Sequence, residues 1–90
     1  MNDTLENWRK QIDALDEELL QILSKRIDIV RKVGIYKKKN QIPPLDEARW
    51  QEVLNSKLAL GELLKLPKML VEKIYTIIHE EALKIENGEI

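Results

Sequence analysis

Between Leu5 and Val33 the chain holds no glycine and no proline, and from Leu5 to Tyr36 its apolar side chains step by alternating threes and fours. Leu5, Trp8, Ile12, Leu15, Leu19, Ile22, Arg26, Ile29, Val33 and Tyr36 therefore share one face of an α-helix. The spacing predicts a first helix over about residues 4–39, with Asp3 or Thr4 suited to cap it and Gly34 either tolerated or marking a close backbone approach. A helix of about 35 residues is a rod of ~52 Å. A compact domain of this length has a radius of gyration near ~12 Å and a diameter of only about 30 Å. The rod outruns its own domain. Its far half must bury its stripe against something other than this chain, and the simplest partner is a second copy. An intertwined homodimer is expected, in which folding and assembly are one event.

Nine of the ten stripe positions suit burial; Arg26 does not. A guanidinium keeps its proton in a protein, so in an apolar seam it must meet an anion or a ring of acceptors. Eleven residues further on, Lys37 returns to within about 20° of the direction of Arg26 and lies ~16 Å along the axis. The plain account is that both cations snorkel or pair with acids on a neighbouring helix. The sharper account is a preorganised anion site.

Composition narrows the chemistry. The formal charge is −1 and the pI about 5.9, so no overall basic field recommends nucleic acid or an anionic membrane. Lys37, Lys38 and Lys39 form a run of a kind usual at a solvated helix end. There is no cysteine, which excludes disulfides, thiolate catalysis and cysteine-ligated metals. The single histidine does not support a multi-histidine metal site. Met1-Asn2-Asp3-Thr4 lacks the basic and apolar regions of a signal peptide, and no apolar run approaches the ~18 residues that cross a bilayer. One soluble cytoplasmic domain over residues 1–90 is expected.

Asn40-Gln41-Ile42-Pro43-Pro44 breaks the first helix, because proline disfavours helical backbone in the residue before it. Asp46 is placed to cap a second helix over about 46–60, with Val53, Leu54, Leu58 and Trp50 as its apolar side and Gly61 as its end. Arg49 falls in its first turn, where guanidinium and unpaired backbone N–H groups suit a carboxylate; the alternative is a surface pair with Asp46 or a neighbour of Gln51. Pro67 suits the start of a third helix over about 67–87, carried by Leu70, Val71, Ile74, Ile77, Ile78, Ala82, Leu83 and Ile85, with Gly88 able to end it. The fold class is all-α: one very long helix, one short and one medium. Tyr75, His79, Ala82 and Glu86 give the third helix a second face of mixed polarity. A histidine among isoleucines is more often structural than catalytic, and an acid near a chain end is usually solvated.

Together these features resemble a known family. Trp8-Arg9-Lys10-Gln11-Ile12-Asp13-Ala14-Leu15-Asp16, Leu23-Ser24-Lys25-Arg26, Val33-Gly34-Ile35-Tyr36-Lys37 and Pro44-Leu45-Asp46-Glu47-Ala48-Arg49 are similar to the corresponding stretches of the all-helical (AroQ class) chorismate mutases. The resemblance runs over about residues 5–86. It implies an intertwined homodimer that rearranges chorismate to prephenate, in phenylalanine and tyrosine biosynthesis, without cofactor or metal. It further implies that Arg26 and Arg49 bind the two carboxylates of the substrate together with Arg9 from the partner subunit. Lys37 would hydrogen-bond the ether oxygen of the breaking bond, and Asp46 would hold the substrate hydroxyl or the loop.

The residue types suit that reaction. A Claisen rearrangement is unimolecular and needs no nucleophile, metal or general base. It needs the enolpyruvyl arm clamped over the ring, and donors aimed at the ether oxygen as negative charge develops there.

The chain departs from the family in helices two and three. Many members have an acid directly after the helix-two arginine to bind the substrate hydroxyl, and this chain has Trp50. Glu86 falls where glutamine is usual and Ala82 where a small polar residue is common, although a shift of one residue puts Ile85 in place of Glu86. Glu86 can donate to the ether oxygen only as the carboxylic acid. Trp50 keeps open an isochorismate-pyruvate lyase, a relative of the same fold. A non-catalytic helical dimerisation module would explain the stripe and the length, but not Arg26 within the stripe or Arg49 at a helix start.

Overall fold

The computed structural model describes residues 3–89 and is all-helical, with no strand among the described residues. α1 runs Asp3–Lys39, α2 Glu47–Leu63 and α3 Lys68–Glu86. α1 already includes Asp3 and Thr4, so neither occupies the capping position expected of it. Asp3 and Glu6 instead place negative charge in the first turn, and Lys37 to Lys39 place positive charge in the last, both favourable to the helix dipole.

All three helices end in the same backbone device. Ile42 N–H donates to Lys37 O at 2.8 Å, Leu66 N–H to Gly61 O at 2.9 Å, and Glu89 N–H to Lys84 O at 2.8 Å. Each is the long bond of a Schellman motif, and the shorter bond accompanies it from Gln41 to Lys38 O, from Lys65 to Glu62 O, and from Gly88 to Ile85 O. The left-handed residue between them is Gln41 (φ 58°), Lys65 (φ 60°) and Gly88 (φ 78°). Only the last is the residue such a position prefers.

Gly61 does not end α2, contrary to the reading from sequence. It lies inside the helix, which continues to Leu63, and it is buried. A Cβ there would come within 2.7 Å of Val71 Cγ2, so its role is to let α2 and α3 approach closely. Gly34 does the same for α1 and α3: a Cβ would stand 3.0 Å from the Cα of Glu86.

α3 packs against both other helices, while no Cα of α1 comes within 8 Å of one in α2. The product is elongated, 61 × 25 × 16 Å with a radius of gyration of 16.7 Å. Val71, 6% exposed, is the one buried hydrophobic side chain among the described residues. The α1 stripe stands open over most of its length: Trp8, Ile12, Leu15, Leu19 and Ile22 are all exposed, Leu15 to 61%. No helix of the described residues is long and apolar enough to cross a membrane.

Candidate active site

A cavity of about 440 Å³ lies where the C-terminal half of α1, the start of α2 and the C-terminal half of α3 converge. α1 contributes Arg26, Ile29, Val30, Val33 and Lys37; the loop and α2 contribute Pro44, Asp46, Arg49, Trp50 and Val53. From α3 come Tyr75, Ile78, His79, Ala82, Leu83 and Glu86. Arg26, Lys37, Asp46, Arg49, Trp50, Ala82 and Glu86, singled out in the sequence, thus line one wall or another of the same space.

Local structure aims these groups. The N-cap Asp46 accepts a hydrogen bond at Oδ1 from Arg49 N at 3.0 Å, which fixes the first turn of α2 and with it the root of the Arg49 side chain. The Arg49 guanidinium meets Glu52 at 2.7 Å, but the two side chains are 65% and 71% exposed. A surface pair of that kind contributes little and yields readily to a ligand carboxylate. Arg26 has no ion pair within the described residues; its charge faces the cavity without a protein counter-ion.

Lys37 and Glu86 form the closed end. Their side chains are only 20% and 9% exposed, and Lys37 Nζ lies 2.6 Å from Glu86 Oε1. The contact is close but poorly aligned as a hydrogen bond, which leaves buried Glu86 Oε1 without a well-formed one. The ammonium donates instead to Pro44 O at 2.7 Å, tying the loop after α1 down over the site. Gly34, one turn before Lys37, is what lets the α3 backbone come near enough for Glu86 to reach it. Ile85 lines a separate cavity of about 560 Å³ on the other side of the Lys37–Glu86 contact.

Arg9 is not brought to this site. It is exposed and pairs with Glu6 at 3.3 Å, seventeen residues before Arg26 and so ~26 Å away along the same helix. His79 and Tyr75, which the sequence puts on a mixed second face of α3 without assigning them to the site, are also in the cavity wall. The His79 ring lies stacked on that of Trp50, with centroids 4.0 Å apart and planes at 7°. The signal for both was the four-three-four spacing of Tyr75, His79, Ala82 and Glu86, which puts them on the cavity face of α3.

Fold and site together give a helical unit with a partly enclosed cavity into which Arg26, Lys37 and Arg49 bring positive charge. Residues 8–87 match the family model described as chorismate mutase type II, and the chain belongs to that family. It is 33% identical over 81 residues to a T-protein of Enterobacter agglomerans, a match covering 90% of this chain and 22% of that protein. A bifunctional chorismate mutase/prephenate dehydratase of Buchnera aphidicola subsp. Baizongia pistaciae is 32% identical over 82 residues, covering 91% of this chain and 22% of the relative. A protein of the same description from Aquifex aeolicus is 29% identical over 87 residues, 93% of this chain and 24% of the relative. The chain thus spans between a fifth and a quarter of the length of these relatives. No solved structure matches it.

Proposed function

We propose that this chain is a chorismate mutase, converting chorismate to prephenate as an intertwined homodimer whose sites each take Arg9 from the partner subunit. The observation that carries the reading is the convergence of Arg26, Lys37, Arg49 and Glu86 from three helices on one cavity, in a chain of this family. A volume of about 440 Å³ suits a small-molecule ligand. Two arginines and a lysine suit a dianion, with guanidiniums able to grip carboxylates at two points.

Catalysis on this reading is positioning and electrostatics. Arg26 and Arg49 hold the two carboxylates so that the enolpyruvyl arm folds over the ring, the entropic share of the barrier. Lys37 donates to the ether oxygen, which gains charge as the bond breaks, and Glu86 adds a second donor there only as the carboxylic acid. Glu86 suits that role better than Ile85, since it lies against Lys37 and Ile85 lines the other cavity. No Ser, Thr or Cys lines the site, and the reaction needs none.

The dimer is supported by the exposed α1 stripe, the single buried hydrophobic side chain among the described residues and the elongated shape. Partner α1 helices running antiparallel would carry Arg9 to the level of Val30, between Arg26 and Lys37, when the two-fold axis passes midway between Leu19 and Leu20. Leu19 and Leu20, both exposed in the single chain, then meet across the axis.

Product analysis after incubating the purified protein separately with chorismate and isochorismate, with no additive, tests the reading. Prephenate from chorismate is expected. Pyruvate from isochorismate with little prephenate would move the function to the lyase and make Trp50 a determinant of substrate choice. No turnover of either would leave a helical dimerisation module.

A further inference from the structure

We propose that His79, held flat against Trp50, is the residue that recognises the ring hydroxyl of the substrate; the inference rests on the mutase reading above. Chorismate offers a dianion, an ether oxygen and one ring hydroxyl. The cations and Glu86 account for the first two. Asp46 uses Oδ1 to accept from Arg49 N at 3.0 Å as the cap of α2 and as a carboxylate has no donor for the hydroxyl oxygen, and the position after Arg49 carries the apolar-faced Trp50. The polar side chains left on the cavity wall are those of His79, Tyr75 and Trp50, and the Trp50 indole can only donate.

His79 is better placed than Tyr75. Stacking at 4.0 Å and 7° engages the face of the imidazole and leaves its edge, with both nitrogens, free. Neither nitrogen makes a hydrogen bond within the described residues. A neutral imidazole has one donor and one acceptor nitrogen, which matches a hydroxyl, itself both donor and acceptor. His79 is also one turn nearer than Tyr75 to Glu86 and hence to the reacting bond. Trp50 acts as a positioning residue: its indole fixes the imidazole plane, so less rotamer freedom is lost when substrate binds.

The test compares kcat/KM for chorismate and for its ring O-methyl ether, which cannot donate from that oxygen. The unsubstituted protein should prefer chorismate. His79→Leu should lower kcat/KM for chorismate about tenfold, the size of a lost neutral hydrogen bond, while leaving the ether nearly unchanged, so that the preference collapses. His79→Gln, which keeps a donor and an acceptor, should recover part of it and shows that loss of folding is not the cause. Trp50→Leu should narrow the preference and Trp50→Phe, which keeps an aromatic plane, should restore it. An unchanged preference in His79→Leu, or a collapse in Tyr75→Phe instead, would overturn the assignment while leaving the mutase reading intact. If the unsubstituted protein converts neither compound, the mutase reading falls and this inference falls with it.

Discussion

At the scale of single residues, the cavity carries charge that the protein alone does not satisfy. Arg26 sits in an otherwise apolar stripe and has no ion pair within the described residues. Replacing a charge in an apolar seam with a hydrophobe is commonly neutral or stabilising. Arg26→Leu should therefore melt at the same temperature or higher while losing about 10²–10³ in kcat/KM, the scale of an ion pair lost from a bound carboxylate. A parallel loss of stability and rate would make Arg26 structural. Glu86 is the second case. It faces Lys37 at 2.6 Å, with Arg26, Arg49, Asp46 and His79 on the same cavity. Glu86→Gln, which keeps a donor at that position, should retain or raise kcat/KM for chorismate, whereas Glu86→Leu, with no donor, should lower it about tenfold. Equal activity in the two variants would take Glu86 out of the mechanism.

At the scale of elements, two glycines decide how near the helices come. Gly61→Ala would set a Cβ 2.7 Å from Val71 Cγ2, and a β-branched side chain has little room to turn aside. The substitution should destabilise by about 1–3 kcal/mol, and Val71→Ala in the same chain should return part of that, as neighbours in contact do not act additively. Additive losses by denaturant unfolding would show that the contact does not limit the approach. This is also where the sequence was hardest to read. α1 was legible because a period of threes and fours sustained over ten positions has one reading, and the proline pair marked its end. Gly61 was misread because a glycine after an apolar run is the usual sign of a helix end, whereas its contact with Val71 is a property of two helices that only the folded chain brings together. The true stop is Lys65, a residue with no such signature. His79 was undervalued for the same reason: its meaning comes from Trp50, twenty-nine residues away in the chain.

At the scale of the whole molecule, 61 Å of length and one buried hydrophobic side chain among the described residues leave a stripe that a partner copy would cover. That pairing would tie catalysis to assembly, because Arg9 is ~26 Å from its own Arg26 and would reach a site only across the two-fold. The most direct measurement is complementation between two inactive variants. Arg9→Ala and Arg26→Ala, each purified and each expected to convert chorismate poorly, are unfolded together in equal amounts and refolded. Half of the dimers should then be mixed, each with one site that has both arginines. Prephenate formation should return to about a quarter of the unsubstituted rate. A mixture no more active than its parents, when the mixed dimer is shown to form, would contradict a site shared between subunits.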